Sequence, residues 1–364
     1  MHIFHIENAS KSEYASGIGR YITTLISAFI KNSITFSFVS SYKLPSIVSQ
    51  DAGVLLSEKR ISNLRFFLLL FWFSVKQGNR KDHIFHLHHP YFVIPLFLFN
   101  WRSRYVLSLH SDQDERFRSK KGGIVWMLYY MVNKLCLKSY DKIISPSDYL
   151  TQLYTDRYKI KFSKLILVKQ GVDLRVFTDL DKQLTRQEFG FDEQSKIILF
   201  IGRFVAEKRL DLLLDIVKSL NQKMDNLLLV LVGDGPLKKE IELKASRINT
   251  AIKLMDSMPA ESLNKLINCA DVLLVTSISE GGPLVVKEAL ACNVPVVSTD
   301  VGDVREVIEG IKGCFIAKPD VDDFSEKVIK ALSAKNFESR TKMQEYSSEK
   351  FADEIIKVYT TLIN

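Results

Sequence analysis

The sequence predicts an α/β protein of two doubly wound, Rossmann-like domains facing each other across a cleft. Three observations carry this prediction. The chain has 364 residues, the length of two ordinary domains. Its apolar content of 46% can fill two cores, and its charged content of 25% is that of a globular protein. Short apolar runs also alternate with helical stretches along the whole chain, the pattern of parallel sheets covered on both faces.

In chain order, the first half offers strands at 1–6, 34–40, 83–87, 105–110 and 142–145, with helical patterns such as 18–31 and 123–138 between them. The second half offers strands at 196–202, 227–233, 252–255, 271–276, 295–298 and 313–316, again with helices intervening. The series restarts near Lys196 after the polar stretch DLDKQLTRQEFGFDEQ (179–194), read as the linker. The expected domains are therefore 1–178 and 179–345, with a terminal helix at 346–364 that could pack back on the first. No internal repeat or low-complexity tract interrupts them.

Composition narrows the class. The start MHIFHIEN lacks a basic region followed by a long apolar run, so no signal peptide is expected. The longest apolar run, 66–73, is far short of the ~20 residues of a spanning helix. Cys136, Cys269, Cys292 and Cys314 form no CxxC and sit in apolar contexts. They read as reduced core thiols of a cytosolic protein rather than a disulfide frame or zinc site. Residues 1–170 carry 24 Lys and Arg against 11 Asp and Glu, a net of +13, and the remainder carries 26 against 31, a net of −5. A basic first half suits an anionic membrane surface or phosphate-bearing substrates. Nucleic acid fits poorly, because no reading motif is recognisable.

Ligands of doubly wound folds sit at the carboxyl ends of strands, so the loops there hold the candidate site. Gly17 and Gly19, in SGIGRY, open a helix after the first strand. Glycine lets backbone approach a phosphate, and a helix start favours anions. A dinucleotide fingerprint would need a third glycine where Ile22 stands and an acid about 20 residues on. None occurs between Glu13 and Asp51, which argues against a nicotinamide enzyme. In the second half, GRFVAEKR places Arg203 and Lys208 before a helix. Cations there oppose the helix dipole, so a bound anion explains them better than stability does. GDGP (233–236) reads as a turn with no chemistry of its own.

The segment SEGGPLVVKEAL (279–290) sets Glu280 and Glu288 on either side of a Gly-Gly-Pro turn. Pro283 fits a helix start, and the amides near Gly281, Gly282 and Leu284 would form a phosphate cradle. Both carboxylates could then reach the cleft and accept hydrogen bonds from sugar hydroxyls. The plainer alternative is that one acid caps the helix and the other favours its dipole, effects of about 1 kcal/mol.

Together with SGIGRYITTLISAF, HLHHP, VLSLHSD, the QGVD at 170–173 and FIGRFVAEKRLD, the Glu-x7-Glu segment resembles the retaining glycosyltransferases of family 4, which have the glycosyltransferase B fold. The resemblance covers nearly the whole chain; Gln170 stands where the family usually has Asn. It implies a nucleotide-sugar donor, with Arg203 and Lys208 gripping the diphosphate and stabilising the leaving group's charge. It further implies Glu288 on the ribose, Glu280 and the 281–284 amides (Pro283 between them) on the donor sugar and distal phosphate, Gly17 and Gly19 over the phosphates, and His110 beside the sugar. Retention in this family is ascribed to a front-face reaction in which a donor phosphate oxygen takes the acceptor proton, so no covalent nucleophile is nominated. Arg203, Lys208, Glu280 and His110 are the expected catalytic residues, with a UDP- or GDP-sugar as donor substrate.

No cofactor or metal is expected. The DxD at Asp112 and Asp114 recurs at Asp179 and Asp181 and at Asp320 and Asp322, so it carries little weight. His86, His88 and His89 could gather a metal, but lining acceptor or sugar is the better reading. The apolar tract ISNLRFFLLLFWFSV (61–75), flanked by Lys59, Arg60, Lys76, Arg80 and Lys81, reads as contact with an anionic membrane where a lipid-linked oligosaccharide or glycan acceptor would be met. A covered core helix or a dimer contact would leave a similar pattern. The basic tract 116–121 could extend that patch. The expected role is bacterial O-antigen or polysaccharide assembly at the inner face of the cytoplasmic membrane. A nucleotide-sugar epimerase or a non-catalytic sugar-nucleotide or glycan binder on the same fold is the alternative.

Overall fold

The structure, a computed structural model, describes residues 1–8, 17–40, 53–55, 61–112, 123–334 and 337–363. The tract 116–121 and Asp114 lie outside them. The chain divides into two compact units, Met1–Lys169 with Glu349–Asn364, and Gln170–Ser348.

The first unit holds β1 (His2–Glu7), β2 (Phe36–Ser40), β3 (Gly53–Leu55), β4 (His83–Leu87), β5 (Arg104–Ser108), β6 (Lys142–Ser145) and β7 (Leu165–Leu167). They form one parallel sheet in the order β3-β2-β1-β4-β5-β6-β7. The β1–β4 register sets His5 beside His86. One face packs Phe66, Leu70 and Phe92 against Phe85 and Leu107. The other packs Leu25, Ile26 and Phe29 of the helix Gly17–Lys31 with Phe351, Ile355 and Tyr359 of the terminal helix Ser348–Ile363. The last helix thus completes the first unit's core. The strands missed in the sequence, β3 and β7, are three-residue strands at the two sheet edges, too short to show a period.

The second unit holds β8 (Lys196–Ile201), β9 (Leu227–Val232), β10 (Ala251–Met255), β11 (Val272–Val275), β12 (Val296–Ser298) and β13 (Phe315–Ile316), parallel and ordered β10-β9-β8-β11-β12-β13. Cores lie on both faces, so the strands read as unbroken apolar runs. Both sheets reverse direction beside their first strand, the topological switch point of a Rossmann-like domain.

The stretch read as a linker is part of the second unit instead. Residues Lys182–Phe189 form a helix capped by Asp181, whose side chain accepts from Leu184 N–H, and closed by Gly190 at φ 65°. Its Arg186 guanidinium is buried, donating to the Cys269 carbonyl, the Glu193 carbonyl and Asp271. Polar composition concealed a buried, fully hydrogen-bonded arginine. The contact boundary falls at Gln170 rather than 179 because Val172 N–H donates to the Tyr346 carbonyl and Phe177 lies in the second unit's core.

All four cysteines are free, three of them buried, and burial raises their thiol pKa values, Cys136 and Cys269 to about 11. They are core thiols without a partner sulfur.

Candidate functional site

In the second unit, β8 and β11 are neighbours at the switch point, so the loops that follow them meet. The loop after β8 is fixed first. Phe204 is fully buried, its N–H donates to the Asp234 carbonyl, and its own carbonyl accepts from Leu237 N–H. Gly233, at φ 149°, lies so close to Gly202 that a Cβ on it would sit 1.9 Å from the Gly202 oxygen. The GDGP turn thus has a task that its sequence did not disclose: it seats the loop bearing Arg203. A 3-10 turn, Ala206–Lys208, follows. The Glu207 carbonyl accepts from Ile278 N–H and the Lys208 carbonyl from Thr276 Oγ1.

These bonds bring the Lys208 ammonium onto Oε1 of Glu280 in a hydrogen-bonded ion pair. Ser277 Oγ donates to the same oxygen at 2.7 Å. The pairing joins residues that are 72 positions apart and that the sequence assigned to one site. Arg203 sits on the same loop with its side chain exposed.

Pro283 is the N-cap residue of the helix Leu284–Ala291, one position before the helical turn expected for it. Every residue of that helix is buried, Glu288 included, which is 0% exposed. Glu288, expected on the ribose, thus lies buried within the second unit. Gly302, at φ 57°, lies against the Gly281–Gly282 backbone, and a Cβ on it would come within 3.0–3.1 Å of that backbone.

A buried ion pair stands behind this turn. Lys287 Nζ donates to Asp303 Oδ2 at 2.5 Å, with both side chains at most 2% exposed, and the ammonium lies 5.4 Å from the Tyr346 ring centre. Sequence reading missed the pair; a lysine within the otherwise apolar run PLVVKEALA was its signal. Beside Ser277 a cavity of about 580 Å³ opens at the ends of β11, β12 and β13, lined in part by Arg209, Asp300, Arg305 and Lys318.

The first unit carries the remaining candidates. Gly17 and Gly19 occupy the first turn of the helix Gly17–Lys31, as read. His110 lies two residues past β5. Its Nε2 meets Nδ1 of His88 at 2.8 Å, and burial lowers its pKa to about 3. His86 is engaged at both nitrogens, with Tyr359 at 2.5 Å and Ser108 at 2.7 Å. Asp112 accepts from Arg157 at 2.7 Å. His86 and Asp112 therefore serve protein partners. Among the described residues, no group of three or more His, Cys, Asp and Glu is placed to hold a metal ion.

The helix that covers most of the tract 61–75 is Asn63–Gln77. It buries Phe66, Leu70 and Phe73 and exposes Leu64 and Trp72 at 71% and 67%. It is therefore apolar on an open face and not a covered core helix. A second helix, Gly123–Lys138, exposes Ile124, Leu128, Met131 and Leu135, and the segment just after the short helix Val93–Phe97 exposes Leu98 and Trp101. Among the described residues, no helix is long and apolar enough to cross a membrane.

Comparison with known proteins adds independent findings. The family model for glycosyl transferases group 1 matches residues 181–350, and that for glycosyltransferase family 4 matches residues 15–176. An uncharacterized glycosyltransferase of Methanocaldococcus jannaschii is 27% identical over 268 residues, covering 71% of this chain and 68% of that protein. The chain spans about half the length of several further curated relatives. Sucrose-phosphate synthase of Thermosynechococcus elongatus superposes with a TM-score of 0.80 at 18% identity, covering 100% of this chain and 99% of that one. HepE of Anabaena, solved with UDP and glucose, gives 0.77 at 14% identity, covering 98% and 99%. Such identities speak for the fold alone. With one family model on each half and the whole chain superposing on such structures, the chain belongs to the family 4-like glycosyltransferases of the glycosyltransferase B fold.

Proposed function

We propose that the protein is a retaining glycosyltransferase that moves a hexose or N-acetylhexosamine from a UDP- or GDP-sugar to a glycan or lipid-linked oligosaccharide. The observation that carries this reading is the Lys208–Glu280 pair beside the Gly281–Leu284 turn. A cation and a hydroxyl-accepting carboxylate, locked together by backbone bonds, suit a diphosphate joined to a sugar. The UDP and glucose bound by the HepE structure support a nucleotide sugar as the ligand class. In this reading Lys208 and Arg203 stabilise the charge that develops on the leaving diphosphate. Glu280 orients the sugar, and His110 gives it a further polar contact. A donor phosphate oxygen takes the acceptor's proton, so the side chains hold and polarise without forming a covalent intermediate. The two cations supply the positive charge, and no metal ion or cofactor is assigned to the reaction.

The acceptor is assigned to an anionic membrane at the cytoplasmic face, in bacterial O-antigen or polysaccharide assembly. Support comes from the exposed faces of Asn63–Gln77 and Gly123–Lys138, with Arg65, Lys76, Lys134 and Lys138 among them. A thermal-shift screen against UDP-, GDP- and ADP-sugars identifies the donor, since a ligand at 100 times its Kd stabilises by about 2.7 kcal/mol. Glu280→Ala is expected to lower transfer about 100-fold or more. Turnover near wild type in an acceptor assay would remove Glu280 from the site.

A further inference from the structure

Glu280 is held by its protein neighbours at one oxygen. Its Oε1 accepts from the Lys208 ammonium and from Ser277 Oγ, the latter at 2.7 Å. A carboxylate oxygen offers about two lone pairs, so these two donors fill Oε1. Oε2 has no hydrogen-bond partner among the described residues, and the side chain keeps 15% of its surface open.

Ser277 can aim its bond because its own backbone is fixed. The residue is 1% exposed. Its carbonyl accepts from Thr299 Oγ1 at 2.7 Å, and Thr299 N–H donates to the Val275 carbonyl at 2.9 Å. Thr299 directly follows β12, Ser277 lies two residues past β11, and the two strands pair with Val275 beside Ser298. On the other side, Ile278 N–H donates to the Glu207 carbonyl at 2.8 Å. Ser277 is thus tied both to the end of β12 and to the loop that bears Lys208. Its hydroxyl has one proton, and among the described residues Glu280 alone accepts it.

The two donors on Oε1 differ in what a nucleotide sugar asks of them. Lys208 is assigned to the charge on the diphosphate, so a bound donor divides its ammonium between phosphate and carboxylate. Ser277 is neutral, buried and tied by backbone bonds, so its hold is not contested. The last torsion of a glutamate is soft and two-fold, and a free carboxylate exchanges its oxygens readily. With Ser277 bonded to Oε1, that rotation breaks a charge-assisted hydrogen bond. Oε2 is then the oxygen left for a sugar hydroxyl.

We propose that Ser277, braced by Thr299, is a positioning residue that fixes Oε2 of Glu280 as the acceptor for the transferred sugar, so that the sugar meets one oxygen of the carboxylate and not both. The proposal rests on the reading of Glu280 as the sugar-side carboxylate.

The test compares nucleotide sugars with their bare nucleotides, because Glu280 is read as touching the sugar. Dissociation constants are measured by calorimetry on the full chain for UDP-glucose, UDP-galactose, UDP-N-acetylglucosamine and GDP-mannose, and for UDP and GDP. The wild type is expected to bind at least one of these sugars more tightly than its nucleotide. Ser277→Ala should weaken that nucleotide sugar about tenfold, the worth of a hydrogen bond to a charged group, and leave the bare nucleotide within about twofold. Thr299→Val keeps the shape and removes the brace, and should weaken the same nucleotide sugar about threefold. The second variant keeps the test open if the first does not fold. Equal losses for nucleotide and nucleotide sugar would mark a merely structural role and overturn the proposal. A sugar preference that survives both substitutions would overturn it as well, with the reading of Glu280 intact. A wild type without any sugar preference removes the reading of Glu280 itself and the proposal with it, so the two failures are told apart.

Discussion

Lowering the pH from 7.5 to 5.0 is expected to destabilise the first unit and spare the second. His5, His86 and His88 are 2%, 0% and 1% exposed, and burial depresses the pKa of each, that of His5 to about 3. His5, and His110 with a pKa likewise lowered to about 3, remain neutral in the folded unit at pH 5.0, whereas in the unfolded chain each titrates near 6.5. The unfolded state thus binds more protons below pH 6.5. The stability is complete above that pH and is lost as the pH falls toward the folded values. At pH 5.0 the unfolded pKa lies about 1.5 units higher, so each of these two histidines costs about 2 kcal/mol. The two costs add, because the protons bind independently in the unfolded chain. The total is about 4 kcal/mol, against about 5–15 kcal/mol for a whole domain, and His86 and His88 act in the same direction.

The sequence supplies an internal control. All seven histidines lie within residues 1–110 and all three tryptophans within residues 1–126. Tryptophan fluorescence therefore reports the first unit alone, and far-ultraviolet circular dichroism reports both. Between pH 7.5 and 5.0 the fluorescence midpoint should fall by roughly 8–16 °C, at about 2–4 °C per kcal/mol for a unit of this size. The second unit contains no histidine, so its transition should hold still. A fluorescence midpoint that does not move, or that moves together with the second transition by the same amount, would refute the reasoning.

Three further outcomes follow from the geometry. Asp303→Ala leaves the Lys287 ammonium buried without its carboxylate and should cost about 3–5 kcal/mol in urea unfolding; Lys287→Met with Asp303→Leu should recover most of that loss. Gly233→Ala places a Cβ 1.9 Å from the Gly202 oxygen, so the Arg203 loop must shift. A displacement near 1 Å should lower kcat/KM about 100-fold in a donor-saturation assay, and wild-type kinetics would show that the loop does not seat the site. Trp72→Ser with Leu128→Ser removes two exposed apolar side chains and should weaken binding to anionic vesicles by roughly tenfold per residue. Vesicle binding that is unaffected, or a dimer that the same substitutions dissociate in sedimentation, would reassign the surface.

What the sequence could and could not disclose divides along a physical line. Elements buried on both faces announce themselves as apolar runs, so all six strands of the second sheet were legible to within two residues. The loops after β8 and β11 were legible as well. Glycines and a proline break the apolar runs where the strands end, and cations placed just before a helix oppose its dipole. A run of apolar residues does not say which face is covered, however. Residues 123–138 read as an ordinary helix, yet its Ile124, Leu128 and Leu135 are exposed. Composition misled in the opposite sense at 179–194, where a polar stretch hides the buried Arg186.

A line of hydrogen bonds through the buried histidines marks the firmest limit. HLHHP and VLSLH show histidines on neighbouring strands, and period-two alternation sets His86 and His88 on one face. Nothing local announces that Tyr359, 354 positions from His5, closes the line from the last helix. Nor does any local pattern reveal that Tyr21, 87 positions from Ser108, joins it through its hydroxyl. Such a line is assembled by the fold from three strands and two helices, and no local window of sequence contains it.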